Sequence, residues 1–164
     1  YPNRAGLCFV GAAERDGVRL VSAVLGSGWG DAGKQKKWTD TKALMDYGFA
    51  VFHPYEAVQA GESFGEIRIT DSPTAQMETI LAEGYTALFS DAEIEKLHLT
   101  ADLPKELAAP VHRGERLGQA VLWLGEERLA AVDLLAAEDA EPFTLAQRLL
   151  RLAEGWLSWR DWKD

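Results

Sequence analysis

Cysteine, histidine and positive charge are scarce in this sequence, and each shortage narrows its possible functions. Cys8 is the only cysteine among the 164 residues, so no disulfide can form within the chain. The three histidines, His53, His98 and His112, have no second His or Cys two to four positions away and form no Cys/His cluster, so we expect no metal site. Lys and Arg number 17 against 26 Asp and Glu, and the formal charge of −9 would repel a polyphosphate. We therefore expect no nucleic acid partner, no metal and no other cofactor.

Long apolar runs are also missing. No segment approaches the roughly 20 residues that a membrane-spanning helix needs. No signal-peptide pattern is present, and the chain begins at Tyr1-Pro2 without an initiator Met. This start predicts a processed product or a piece of a longer protein. The apolar fraction of 47% is nevertheless typical of a folded globular protein.

Two apolar runs near the N-terminus, residues 7–13 and 18–25, predict a β-hairpin. Asp16-Gly17 lies between them, and both residue types tolerate the positive φ angles of a tight hairpin turn. Neither run alternates cleanly between polar and apolar residues, so we expect helices to cover both faces of the hairpin. Cys8 lies within the first run and is predicted to be a buried small apolar residue.

The next segment, residues 26–37, is rich in glycine and then basic, and it predicts a long loop. Gly28 to Gly33 match the GxGxxG pattern, but a dinucleotide site needs the last glycine to open a helix, and the helix is expected to begin several residues later. Asp31 would also place a negative charge beside a phosphate. The lysines within residues 34–37 are either a solvated cluster or groups that face a carboxylate-bearing substrate, and their spacing leaves both interpretations open.

A helix is predicted after this loop. Thr39 or Asp40 can cap its start, and His53-Pro54 ends it because a residue before proline is disfavoured in the α region. Gly48 marks either a close contact or the last turn. The apolar positions at helical spacing are Ala43, Leu44, Tyr47, Phe49 and Phe52.

Short strands separated by turn residues are predicted from about residue 57 to residue 141. Seven strands in this length are typical of a small β-sandwich or barrel. Their marker positions are Phe64 to Ile69, Ile80-Leu81, Leu88-Phe89, Ile94 to Leu99, Val111, Gly118 to Leu124 and Leu129 to Ala136.

The last 24 residues predict an amphipathic helix whose apolar side covers about half of its circumference. This helix could pack on the sandwich, pair with a copy of itself, or lie in a membrane interface, where terminal tryptophans keep their indole N–H hydrated. We favour the interface, although Arg160 falls within the apolar arc and would have to extend toward water. The expected membrane-anchoring residues are Leu145, Leu149, Leu152, Trp156, Leu157 and Trp159.

Three segments, in their order along the chain, resemble a known family, the low-molecular-mass penicillin-binding proteins, which are serine-type D-alanyl-D-alanine carboxypeptidases. The stretch just after the family's Lys-Thr-Gly motif is similar to residues 5–26 (AGLCFVGAAERDGVRLVSAVLG) and residues 40–52 (DTKALMDYGFAVF). The end of the family's C-terminal β-rich domain is similar to residues 109–141 (APVHRGERLGQAVLWLGEERLAAVDLLAAEDAE). The terminal helix takes the place of the family's membrane anchor.

This resemblance implies a function for the complete protein and a position for the chain within it. The family removes the terminal D-Ala from peptidoglycan pentapeptide stems through an acyl-serine intermediate. Its Ser-x-x-Lys, Ser-x-Asn and Lys-Thr-Gly motifs are absent from this chain, so no catalytic residue is assigned and the isolated chain is expected to be inactive. By the resemblance, Tyr1 directly follows the Lys-Thr-Gly glycine, and Lys37 matches a basic residue that is implicated in binding the substrate carboxylate.

The predicted fold class is therefore mixed: an α+β remnant of the catalytic domain (residues 1–55), an all-β sandwich-like domain (56–140) and an amphipathic helix (141–164). The expected location is extracytoplasmic, on the outer face of the cytoplasmic membrane, with peptidoglycan as the partner of the complete protein. The truncated hairpin would expose an apolar face and a strand edge, which predicts that it is either disordered or buried by dimerisation or strand exchange between copies. The alternative is a stand-alone, non-catalytic binding module at the cell envelope.

Overall fold

A computed structural model describes residues 5–160, with the surroundings of the side chains described up to residue 152. The predictions made for Tyr1 and for the side chains of Trp156, Leu157 and Trp159 lie outside this part. Along the chain the elements are β1 (Phe9–Arg15), β2 (Val18–Val24), α1 (Gly30–Val51), β3 (His53–Val58), β4 (Ser63–Thr70), β5 (Gln76–Leu81), β6 (Tyr85–Phe89), α2 (Asp91–Ile94), β7 (Leu97–Asp102), β8 (Glu106–Ala108), β9 (Arg116–Leu124), β10 (Glu127–Ala136) and α3 (Leu145–Arg160).

The chain divides into two compact units. The first contains the described residues up to Ala57 together with Thr86–Lys96, and the second contains Val58–Tyr85 and the described residues from Leu97 onward. The two units are described separately below.

The first unit begins with the predicted hairpin. β1 and β2 pair antiparallel, and Arg15 opposite Val18 is the last pair before the turn. Asp16 and Gly17 form that turn with φ angles of 51° and 80°, as a two-residue hairpin turn with both central residues at positive φ requires. The hairpin prediction is confirmed.

The hairpin has one covered face and one exposed face, so the prediction that both faces are covered is wrong. Gly11 and Leu20 face α1, where an added Cβ at Gly11 would contact Thr41 and one at Gly48 would contact Leu20. Side chains at the alternate positions point the other way, and Val10 and Val21 are 66% and 69% exposed. Cys8 is exposed as well, which corrects its predicted burial. The error arose because an apolar run shows that burial of a strand is favourable. It does not show that this chain contains the layer that would bury it.

Helix α1 begins at Gly30, nine residues before the predicted cap at Thr39. Its N-cap is Trp29, which makes no side-chain hydrogen bond to the helix, so the usual signal of a helix start is absent. Most residues of the first two turns are exposed, so they carry no apolar periodicity. The basic run of residues 34–37 consequently lies on a helix rather than in a loop.

Small residues form the buried face of α1. Gly33, Thr41 and Gly48 are its buried positions, whereas Leu44 and Tyr47, predicted to be on the apolar side, are exposed. Gly48 satisfies both of its predicted roles, since it contacts Leu20 and its carbonyl accepts the hydrogen bond of Phe52 in the last turn. The strands therefore approach the helix closely through positions that have little side chain.

The remainder of the first unit is a two-stranded sheet of β3 and β6, followed by α2. Tyr55 and Phe89 meet edge to face across this sheet, with ring centroids 6.4 Å apart. Ser90 and Glu93 form a capping box on α2, and their hydrogen bonds lower the pKa of the Glu93 carboxyl. Ile94, predicted as strand, is the last residue of α2, and β3 was not predicted.

The second unit is built on a six-stranded sheet in the order β7-β9-β10-β5-β4-β8. The neighbours pair antiparallel except β4 and β8, which are parallel. This curled single sheet stands where two packed sheets were predicted, so the sandwich is not confirmed. Strands β4, β5, β7, β9 and β10 were predicted, whereas Val111 forms only an isolated bridge to Ala140 and β8 was missed.

One face of this sheet carries the core of the second unit. Alternate residues of β4, β5 and β10 point inward, as a half-buried sheet requires. Leu134, in β10 between β9 and β5, has no exposed surface. The core cluster consists of Ile67, Ile69, Met77, Val111, Leu117, Ala136 and Ala140. In the described part of the chain, no helix is long and apolar enough to cross a membrane.

Candidate functional sites on the first helix and beside the last

Lys37 lies half-buried on α1 between two aromatic rings of the first unit. Its Nζ is 5.4 Å from the centroid of the Phe9 ring and 5.1 Å from that of the Trp38 ring. The two rings contact each other at a centroid distance of 4.5 Å. Cation–π attraction therefore holds the ammonium group near the start of β1.

Two other lysines of α1 pair with carboxylates. Lys34 Nζ lies 3.0 Å from Asp31 Oδ1, and Lys42 hydrogen-bonds Asp46. This hydrogen bond is the main reason why the pKa of the Asp46 carboxyl is lowered, and the positive charges of Lys42 and Arg15 act in the same direction. Lys37 differs from Lys34 because its ammonium group lies beside two aromatic rings, whereas that of Lys34 lies beside a carboxylate.

The glycines of the GxGxxG pattern have a packing role. An added Cβ at Gly33 would lie 2.5 Å from the carbonyl carbon of Gly28, so the backbone of residue 28 packs directly on the helix. The Gly28 carbonyl oxygen accepts a hydrogen bond from the Leu7 N–H at 2.9 Å. These glycines allow two backbone segments to approach closely. The segment is therefore packed against the helix, and the prediction of a flexible loop is wrong. Asp31 in the first turn and the antiparallel strand before it still disfavour a dinucleotide site.

Helix α3 presents leucines to solvent. Leu145 and Leu152 are 75% and 70% exposed, and Leu149 and Leu150 are exposed as well. The described part of this helix therefore does not pack its leucines on the sheet, which was one of the three predicted alternatives. Its start is fixed by a capping box that sequence reasoning missed, in which Thr144 and Gln147 bond reciprocally. The pattern Thr-x-x-Gln before an apolar run was the signal available in the sequence.

A groove lined by arginines lies beside α3 in the second unit, and sequence reasoning did not predict it. Two adjoining cavities of about 370 and 410 Å³ share Asp71, Phe143 and Arg151 as lining residues. Arg148 also lines the first cavity, and Arg68 also lines the second. We call these two cavities together the cationic groove, because three guanidinium groups and one carboxylate line it. No short-range sequence pattern could have indicated it, since its arginines come from β4 and α3.

No group of three potential ligands is suited to a metal ion within the described residues. Two histidines of this part lie near single carboxylates. His53 Nε2 is 3.4 Å from Asp91 Oδ1, and His112 Nδ1 is 3.8 Å from Asp139 Oδ1. These are surface pairs.

Comparison with known proteins gives a consistent family. A family model described as "Penicillin-binding protein 5, C-terminal domain" matches residues 52–142. The chain is 20% identical over 161 residues to the D-alanyl-D-alanine carboxypeptidase DacF of Bacillus subtilis (strain 168), covering 98% of this chain and 40% of that protein. It is 24% identical over 143 residues to the D-alanyl-D-alanine carboxypeptidase DacA of Haemophilus influenzae (strain ATCC 51907 / DSM 11121 / KW20 / Rd), covering 85% of this chain and 35% of that protein.

The fold agrees with these relatives. The crystal structure of penicillin-binding protein 5 from Haemophilus influenzae matches with a TM-score of 0.53 at 22% identity, over 86% of this chain and 40% of that one. The chain thus spans well under half the length of the relatives it matches. Because the family model covers more than half of the chain, the chain belongs to the family of the penicillin-binding protein 5 C-terminal domain.

Proposed function

We propose that this chain is the C-terminal part of an extracytoplasmic D-Ala-D-Ala carboxypeptidase that trims peptidoglycan pentapeptide stems. The observation that carries the proposal is the match of residues 52–142 to the family's C-terminal domain, together with carboxypeptidase relatives that align over nearly the whole chain. In this proposal residues 56–140 are a spacer that sets the distance between the catalytic domain and the membrane.

Residues 1–55 are proposed to be the end of the catalytic domain. The exposed hairpin face supports this assignment, because valines such as Val10 and Val21 normally pack against a further layer of a larger domain. In the complete protein Lys37 would face the carboxylate of the substrate. Its ammonium group is already positioned by the rings of Phe9 and Trp38.

Labelling with a fluorescent penicillin tests whether activity resides in the part of the enzyme that precedes this chain. We expect no covalent labelling of the 164-residue chain, because acyl transfer requires a nucleophile with an adjacent base and the three catalytic motifs are absent. A D-Ala-D-Ala carboxypeptidase with intact motifs serves as the positive control. Stoichiometric labelling of the chain would contradict the proposal.

The coding DNA upstream of Tyr1 provides the decisive second test. An in-frame Ser-x-x-Lys, Ser-x-Asn and Lys-Thr-Gly would establish the enzyme. A start codon at this position would instead favour a stand-alone binding module.

Helix α3 is proposed to attach the protein to the outer face of the cytoplasmic membrane. The exposure of Leu145, Leu149 and Leu152 supports this role, since an apolar side without a protein partner gains free energy in the interface. The complete protein would then reach peptidoglycan from a membrane-bound position.

We also propose that the chain alone in solution forms a homodimer through the exposed hairpin face. Replacing Val21 by Lys places a charge in the centre of that face and should convert a dimer to a monomer in sedimentation or light-scattering measurements. Leu150→Lys, on α3, is the control for pairing through the helix. A native monomer, or dissociation only in the Leu150 variant, would overturn the hairpin interface.

A further inference from the structure

We infer that the cationic groove binds the phosphate of an anionic phospholipid headgroup while the leucines of α3 enter the membrane interface. This inference rests on the proposed membrane attachment of α3 and adds a lipid class and a binding site to it.

The lining of the groove is positively charged. Arg68, Arg148 and Arg151 line it with a single carboxylate, that of Asp71, although the whole chain carries a formal charge of −9. Among the described residues, none of the three arginines forms an ion pair with a carboxylate. Glu106 lies opposite Arg68 across the β4–β8 pair, yet it forms no ion pair with Arg68. A guanidinium group that forms no ion pair with a carboxylate is suited to bind a phosphate, because it can donate two parallel hydrogen bonds to it.

Hydrogen bonds fix the walls of the groove. Ser72, a buried residue, donates its hydroxyl to the Glu141 carbonyl at 2.7 Å, and the Phe143 N–H donates to the Asp71 carbonyl at 2.9 Å. Arg148 Nε donates to the Phe143 carbonyl at 3.1 Å, and the guanidinium carbon of Arg151 lies 4.6 Å from the centroid of the Phe143 ring. Two of the three cations are thus held in place before a ligand arrives, which lowers the entropy cost of binding.

The position of the groove selects the lipid as the source of the phosphate. Arg148 and Arg151 are three residues apart and share one face of α3, next to the face that carries the exposed leucines Leu145, Leu149 and Leu152. Leu152 itself lines the first cavity. When these leucines enter the apolar edge of a bilayer, the groove lies at the level of the headgroups. Within the described residues the structure therefore joins an apolar surface and a cationic cavity in one place.

The test compares binding of the full 164-residue chain to vesicles of phosphatidylcholine alone and of phosphatidylcholine mixed with phosphatidylglycerol. We expect tighter binding to the mixed vesicles. Arg68→Gln should lower that binding about fivefold, and Arg68→Gln with Arg151→Gln about 25-fold, since an arginine near an anionic surface contributes about 1 kcal/mol. Binding to phosphatidylcholine alone should stay unchanged.

Matched variants distinguish a site from a general charge effect. Arg128→Gln removes the same charge from an exposed position on another part of the sheet and should change binding less than twofold. Arg68→Lys keeps the charge and should retain most of the preference. Equal effects of Arg68→Gln and Arg128→Gln would contradict phosphate binding in the groove. Equal binding of the native chain to both kinds of vesicle would contradict it as well.

Inorganic phosphate separates the two sources of the ligand. If Arg68→Gln weakens binding of inorganic phosphate to the chain in solution but leaves binding to mixed vesicles unchanged, the groove binds free phosphate and the lipid assignment fails. A failure of the proposed membrane attachment can be told apart from a failure of the groove. If α3 does not attach the chain to the membrane, its removal leaves binding to both vesicle types unchanged.

Discussion

Removal of residues 141–164 should abolish co-sedimentation of the chain with phospholipid vesicles. Four leucines of α3 are exposed in the described part of the helix. If each gains only half of the about 2 kcal/mol available on full burial, their total is roughly 4 kcal/mol, a roughly thousandfold change in partitioning. The measurement is the bound fraction after ultracentrifugation, with the intact chain and the shortened chain at equal lipid concentration.

Removal of residues 141–164 could also damage the second unit, because Glu141 and Phe143 hydrogen-bond the loop after β4. A point variant avoids this problem. Leu149→Glu leaves those bonds intact and should reduce vesicle binding at least tenfold, since it removes an apolar contact and adds a charge to the interface. Leu25→Glu is the control, because Leu25 is also exposed, at 76% against 58% for Leu149, but lies after β2. Equal sedimentation of the intact and shortened chains would refute the attachment.

Leu134→Ala should destabilise the second unit by about 2–5 kcal/mol, the usual cost of truncating a fully buried leucine. Leu134 has no exposed surface and lies on β10, opposite Gly118 of β9 and Leu81 of β5. The cavity left behind has rigid walls on both sides, so little relaxation is expected. Urea unfolding followed by circular dichroism measures the change, and the midpoint should fall by roughly 1–2 M.

Leu150→Ala is the matched control for this experiment. It removes the same atoms from an exposed position on α3, so its effect should stay within about 0.5 kcal/mol. Similar midpoints for the two variants would show that Leu134 is not part of the core, and would contradict the central position of β10 in the sheet.

Local chemistry allowed correct predictions where a few neighbouring residues decide the structure. Asp16-Gly17 predicted the hairpin turn because their backbone conformation depends on residue type alone. Most strands of the second unit were predicted because residues of one buried face alternate along each strand. The family could also be recognised from the sequence, since three segments match in order.

Other features could not be predicted, because they depend on contacts between segments that are distant in the sequence. The start of α1 has no side-chain cap and no apolar period, and Gly33 packs against the backbone of Gly28, which precedes the helix. Cys8 and the valines beside it have the composition of a buried strand, but their exposure depends on whether a second layer is present. The order of the six strands in the sheet depends on strand pairing, and alternation says only that one face of each strand is buried.

Residue patterns along the chain were enough to predict the family, the hairpin and most of the strands. The folded structure alone showed which faces of the hairpin and of α3 are exposed. It alone also brought Arg68 of β4 beside Arg148 and Arg151 of α3. The physical reason is that turns and periodic patterns depend on neighbours along the chain, whereas a cavity depends on side chains that only the pairing of distant segments brings together.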